Sequence, residues 1–157
     1  MLFRSSAHVS GWFLYAEHAR PESAPHRGAV DTSGSVVDMV GEFLGHIVAI
    51  AQEVCPEEVA LLYWDTKVRR DERYDENSIQ SMLTSTKPAG GGGTTPTCVP
   101  KHLREKELHD ADCIVVLTDG VFYDGEGDWT DCTAPLWCVL KDYAPSFKAT
   151  NGDVLAI

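Results

Sequence analysis

Apolar residues along this chain fall into alternating short β-like runs and longer helical ones. Residues 1–27 lack clear periodicity: "GWFLYAEHA" reads as a short helix or strand, and Pro21, Pro25 and the polar "RPESAPHR" mark a loop after it. "RGAV" reads as a short strand running into Asp31. From there, apolar residues at 36, 37, 40, 43, 44, 47, 48, 50, 51 and 54 recur at helical spacing until Pro56 ends the run. The spacing predicts a helix of about 18 residues, apolar enough to lie against a sheet. "EVALLYWDTKV" predicts a strand ending at Asp65 and Thr66, with "VRRDERY" as a strand paired to it. "DENSIQSMLTST" predicts a short helix capped by Asp75 or Asn77, whereas "KPAGGGGTTP" cannot be regular structure. "TCVPKHLREKELHDA" predicts a helix with Pro100 tolerated in its first turn. "DCIVVLTDG" and "APLWCVL" predict buried strands, "FYDGEGDWTDC" an acidic loop, and "GDVLAI" a last short strand.

Strands alternating with helices imply βαβ units, hence a parallel or mixed sheet covered by helices. Ligands of such sheets bind beyond the carboxyl ends of the strands. Asp31, Asp65 and Asp119 each follow an apolar strand, so the pattern gathers three carboxylates on one sheet edge.

Composition narrows the partners. At 157 residues the chain is expected to form one domain, and 43% hydrophobic with 24% charged residues is ordinary for a globular protein. The net charge of −11 argues against nucleic acid or an anionic membrane and fits cation binding or a basic protein partner. No apolar run reaches the ~18 residues of a membrane span, and the interrupted N-terminus is not read as a signal peptide. Five scattered cysteines without a CxxC pair point to reduced thiols in a cytoplasmic protein. A zinc site from His109, Cys113, Cys132 and Cys138 is unsupported by spacing.

The alternation Asp31-x-Ser33-x-Ser35 lets a strand-to-helix turn present three oxygens towards one point, with Gly34 relieving the crowding. Two carboxylates alone would raise one another's pKa; hydroxyls and a divalent cation remove that conflict. Mg²⁺ takes about six oxygens, usually including several waters. Thr94, after the glycines, offers another hydroxyl, and Asp119 another carboxylate. Ser33 or Ser35 as a helix cap is the competing reading, compatible with the first.

In this order and spacing, "AVDTSGSV", "GGGGTTP" and "IVVLTDG" resemble the metal-ion-dependent adhesion site (MIDAS) of von Willebrand factor A (VWA) domains. The likeness is to intracellular bacterial and phage VWA-like proteins, and it also takes in "YWDTKV", "PLWCVL" and "NGDVLAI". It covers residues 28–157, leaving 1–27 as an N-terminal extension. It implies a Rossmann-like three-layer α/β sandwich: a mostly parallel central sheet with one antiparallel edge strand, and helices on both faces. It further implies Mg²⁺ or Mn²⁺ held by Asp31, Ser33, Ser35, Thr94 and Asp119, with one position left for an Asp or Glu of a protein partner. Relatives often work beside MoxR-type AAA+ ATPases, which makes such an ATPase the expected partner. Two departures stand out. Thr95 replaces a family aspartate, leaving Thr94 and Thr95 both open as the ligand. The first strand is short, with Pro25, His26 and Arg27 where an apolar run is expected.

Asp65 is expected as a hairpin-turn residue near the site, with Thr95, Gly34, Gly120 and Asp124 around it. The loop bearing Asp124, Glu126, Asp128 and Asp131 has Pro135 where a calcium loop needs its glutamate, so it is expected to be a solvated rim. Trp64, Trp129 and Trp137 are expected in the core or at the rim. With no HExxH and no nucleophile–His–Asp set, no enzyme is expected. The alternatives are metal-dependent hydrolysis at the same oxygens, or a degenerate fold acting as a metal-free interaction surface.

Overall fold

The computed structural model describes residues 25–157. Among these residues the strands β1 (His26–Asp31), β2 (Glu58–Trp64), β3 (Val68–Asp75), β4 (Cys113–Thr118), β5 (Leu136–Val139) and β6 (Asp153–Ala156) form one sheet. Their order is β3-β2-β1-β4-β5-β6. Only β3 runs antiparallel, as the edge partner of β2; the other pairings are parallel. Three helices are described: α1 (Val40–Val54), α2 (Met82–Ser85) and α3 (Cys98–Glu105). This is the expected Rossmann-like three-layer arrangement.

Strand alternation divides the core. Val30, Leu61, Tyr63, Val115 and Leu117 pack against Phe43, Leu44, Ile47 and Val48 of α1. On the opposite face Ala29, Leu62, Trp64 and Val116 meet Val99 and Leu103 of α3, together with Trp129 and Trp137. The second layer is thinner than the alternation predicts. β4 joins β5, and β5 joins β6, without a helix among the described residues. Aromatic rings fill the space instead, with the centroids of Phe122, Trp129 and Phe147 lying 6.1, 5.9 and 5.5 Å from that of Trp137.

Boundaries shift for local reasons. The helical run after Val36 opens as a 3₁₀ turn over Val37–Met39, and α1 ends at Cys55 in the left-handed conformation (φ 50°) ahead of Pro56. α3 stops at Glu105 rather than running on. Glu107 takes φ 57°, and the Glu107 and Leu108 N–H groups donate back to the Arg104 and Leu103 carbonyls at 3.1 and 2.7 Å. That double closure turns the chain and buries Leu108. Neither Asp75 nor Asn77 caps a helix: the 3₁₀ turn Ile79–Ser81 and α2 lack a side-chain cap, and Asp75 instead closes the turn after β3, accepting from the Asn77 and Ser78 N–H groups.

Two expectations are corrected. β1 is not short: His26 and Arg27 belong to it, so the strand starts ahead of residue 28. Both are buried, and Arg27 donates to Glu58 (2.9 Å) and to the Leu108 carbonyl (3.3 Å), which lets a charged side chain fill an interior position. Burial lowers the His26 pKa, favouring the neutral ring. The acidic loop is not wholly solvated either. Asp124, Asp128 and Asp131 are exposed, but Glu126 is buried, accepting from Thr150 N (2.6 Å), Thr150 Oγ1 (3.0 Å) and Asn151 N (3.0 Å). It ties the loop after β4 to the turn before β6. Residues 1–24, including "GWFLYAEHA", lie outside the described residues. No described helix is long and apolar enough to cross a membrane.

Glu126→Ala strands those donors and is expected to cost about 2–4 kcal/mol in urea unfolding, whereas Asp124→Ala on the same loop should cost less than about 0.5 kcal/mol. Equal effects would contradict the clamp.

Candidate metal centre

Parallel pairing of β1 with β4, in register at Val30 and Leu117, ends both strands side by side. Asp31 closes β1, and Thr118 and Asp119 close β4. All three are buried. β2 flanks β1 on the other side, Asp31 pairing with Trp64, so Asp65 emerges at the same edge.

The turn after β1 joins these ends. The Asp31 carboxylate accepts from Ser33 N at 2.8 Å and from Thr118 Oγ1 at 2.7 Å. Ser33 Oγ and Ser35 Oγ lie 3.2 Å apart, and Ser35 Oγ donates to Asp119 at 2.8 Å. The other Asp119 oxygen accepts from Val121 N at 2.9 Å. A chain of oxygens therefore runs Ser33–Ser35–Asp119, with Asp31 bound to the same turn. Ser33 and Asp119 are buried and Ser35 is exposed, so the cluster opens to solvent at Ser35. The competing cap reading fails here: neither the 3₁₀ turn nor α1 has a side-chain cap, and both serine hydroxyls are spent within the cluster.

Asp65 does different work. Its carboxylate accepts from Lys67 N (3.3 Å), Arg69 Nε (2.6 Å) and Gly92 N (3.1 Å), closing the β2–β3 turn and gripping the glycine run. Gly92 O in turn accepts from Gly34 N at 3.0 Å, and Thr95 N donates to the Asp65 carbonyl at 2.8 Å. Glycine is required at Gly90, where φ is 152° and a Cβ would stand 2.0 Å from the Thr32 hydroxyl. Thr94 follows half-buried, and neither its hydroxyl nor that of Thr95 bonds to the Asp31–Asp119 cluster among the described residues. Gly120 (φ 77°) donates to Thr118 Oγ1 at 3.1 Å, and exposed Asp124 lies outside the hydrogen-bonded cluster.

Thr118, Thr32 and Arg69 were not singled out by sequence. A hydroxyl residue closing the otherwise apolar strand "CIVVLT" was the available signal for Thr118. The five cysteines include no disulfide, and among the described residues no three His, Cys, Asp or Glu side chains converge as metal ligands. Cys113 and Cys138 are buried in the α1-side core, so the zinc grouping with His109 and Cys132 does not form.

Burial raises the Asp31 pKa; hydrogen bonds from Thr118 and Ser33 oppose this, and the Asp119 charge adds to it. Burial also pushes Asp65 up, but Arg69 and the surrounding N–H groups outweigh it and hold its pKa below the ordinary value. The Cys98 thiol is pushed up to about 12 by burial, so it stays protonated beside the carboxylates.

Geometry and charge both suit a small divalent ion. Neighbouring oxygens of an octahedral Mg²⁺ shell lie about 2.9 Å apart, given metal–oxygen distances near 2.05 Å. The Ser33–Ser35 and Ser35–Asp119 spacings of 3.2 and 2.8 Å bracket that edge. The donors are hard oxygens, two of them carboxylates whose mutual repulsion a cation relieves.

The family model for the VWA-like domain (DUF2201) matches residues 28–157, and the chain belongs to that family. No curated protein and no solved structure matches it.

A carboxyl whose pKa is raised by folding stabilises the fold fully below its ordinary value of 3.8, and that stability is lost as pH rises through the raised value. Asp31→Asn is therefore expected to raise the thermal midpoint in EDTA at pH 7, with the difference shrinking as pH falls towards 3.8. A midpoint at pH 7 no higher than wild type would contradict the strained carboxylate.

Proposed function

We propose that this protein is a cation-dependent protein-recognition module. Asp31, Ser33, Ser35 and Asp119 would hold Mg²⁺ or Mn²⁺, with Thr94 as the further hydroxyl. The bound ion would supply a Lewis-acidic position for an Asp or Glu of a partner. The chain's own groups supply the framework: Thr118 orients Asp31, Val121 N orients Asp119, and Asp65 fixes the glycine run against Gly34. By resemblance, a MoxR-type AAA+ ATPase is the partner to test first. The observation that carries the reading is the Ser33–Ser35–Asp119 oxygen chain, buried at both ends and open to solvent at Ser35 between them.

Recognition is favoured over hydrolysis by the carboxylates nearby. A general base needs a free lone pair and a pKa near the working pH. Asp65 is occupied by Arg69 and backbone donors that hold its pKa low, and Asp124 is exposed outside the cluster.

Calorimetric titration with Mn²⁺ tests the site. Asp119→Ala is expected to abolish binding, and Thr118→Val, which touches no ion but frees Asp31, to weaken it about 10- to 100-fold. Thr94→Ala should weaken binding while Thr95→Ala leaves it intact. Equal affinity in wild type and Asp119→Ala would overturn the proposal.

A further inference from the structure

The hairpin that joins β2 to β3 does not pair evenly. Trp64 stands opposite Val68 and Tyr63 opposite Arg70, which leaves Arg69 as a bulged residue without a cross-strand partner. A bulge re-aims a side chain, and here the guanidinium reaches back over the turn. Arg69 Nε donates to Asp65 Oδ1 at 2.6 Å, and Nη2 donates to Thr66 Oγ1 at 3.3 Å. A planar guanidinium makes both contacts at once, which an ammonium point charge does not. Asp65 is buried, so Arg69 is the counter-charge that a carboxylate withdrawn from water requires.

The two Asp65 oxygens do separate work. Oδ1 is held within the hairpin by Thr66 N, Lys67 N and Arg69 Nε. Oδ2 is left for the glycine run, where it accepts from Gly92 N at 3.1 Å. Gly92 O in turn accepts from Gly34 N at 3.0 Å, and Gly34 stands in the chain between Ser33 and Ser35. Unbroken contacts therefore lead from Arg69 through Asp65 and Gly92 into the turn that carries both serine hydroxyls. The joint is tight at Gly92: a Cβ there would lie 2.9 Å from Asp65 Oδ2 and 3.6 Å from Arg69 Nη2. Gly92 is not among the positive-φ glycines, so alanine there meets the Asp65 carboxylate rather than backbone strain.

We infer that Arg69 is a positioning residue for the cation site, acting through Asp65 and Gly92 to hold the Ser33–Ser35 turn. This rests on the cation-dependent reading above. Without the guanidinium, the buried Asp65 charge keeps only backbone donors and the Thr66 hydroxyl, and its grip on the glycine run weakens. Loss of outer support of this kind costs about 10-fold in metal affinity. Charge alone predicts the opposite sign: a guanidinium repels a divalent cation, so removing it would tighten binding. The direction of the change therefore separates positioning from simple electrostatics.

The test is calorimetric titration of the full chain with Mn²⁺, joined to electron paramagnetic resonance of the bound ion. Wild type, Arg69→Met, Gly92→Ala, Asp65→Asn and the double variant Arg69→Met/Asp65→Asn are compared, with circular dichroism in EDTA showing which are folded. Arg69→Met is expected to bind Mn²⁺ about 10-fold more weakly, and Gly92→Ala to lose a similar factor with the guanidinium still present. In the Asp65→Asn background, Arg69→Met should add less than about twofold, because its path is already cut. The Mn²⁺ spectrum should change alike in Arg69→Met and Gly92→Ala, whereas an arginine that only stabilises the fold would leave it as in wild type. Unchanged or tighter binding in folded Arg69→Met, or a full 10-fold effect in the Asp65→Asn background, would overturn the inference. The cation reading would then stand as long as Asp119→Ala abolishes binding. Should Arg69→Met fail to fold, wild-type affinity and spectrum in Gly92→Ala would overturn the inference equally. Wild type that takes up no Mn²⁺ would overturn both.

Discussion

A carboxylate without solvent exposure has to be compensated by its surroundings, and Asp31 is in that position at the end of β1. Its two oxygens take hydrogen bonds from Ser33 N and Thr118 Oγ1, one local and one across the strand pair. The bond to Thr118 requires β1 and β4 to be neighbours and to end together, which the sheet order and register provide. The bond from Ser33 N holds the turn in which Ser33 Oγ meets Ser35 Oγ and Ser35 Oγ donates to Asp119. Hydrogen bonding only partly offsets burial, and the carboxyl's pKa stays raised. The remaining strain is electrostatic, and the proposed divalent cation would relieve it.

A second carboxylate supports the first from a distance. Asp65 joins the β2–β3 turn to the glycine run, and Gly92 carries that grip on to Gly34. Small residues are needed because the run lies directly on Thr32 and Asp65.

Much of this was legible in the sequence. The strand runs "EVALLYW" and "CIVVLT" are unbroken and apolar, and each ends at an aspartate, so the shared edge followed from the pattern. The paired strand after Asp65 and the helix after Val36 were legible for the same reason. Other features depend on contacts distant in sequence. His26 and Arg27 look like loop residues until Glu58 and the Leu108 carbonyl accept the guanidinium. Glu126 looks like a solvated acid until Thr150 and Asn151 fold over it. α3 ends early because Leu108 is drawn into the core, which local propensity does not encode. At the candidate site, motif order named Asp31, Ser33, Ser35 and Asp119, while Thr118 emerged only from strand register.

The central claim is that these four residues form one cation site at the joined ends of β1 and β4. Anomalous scattering from crystals soaked in Mn²⁺ tests it most directly. The account predicts a peak within about 2.2 Å of the Ser33 and Ser35 hydroxyls, bordered by Asp31 and Asp119. Crystals with this turn ordered and no anomalous peak beside Ser33 would contradict it.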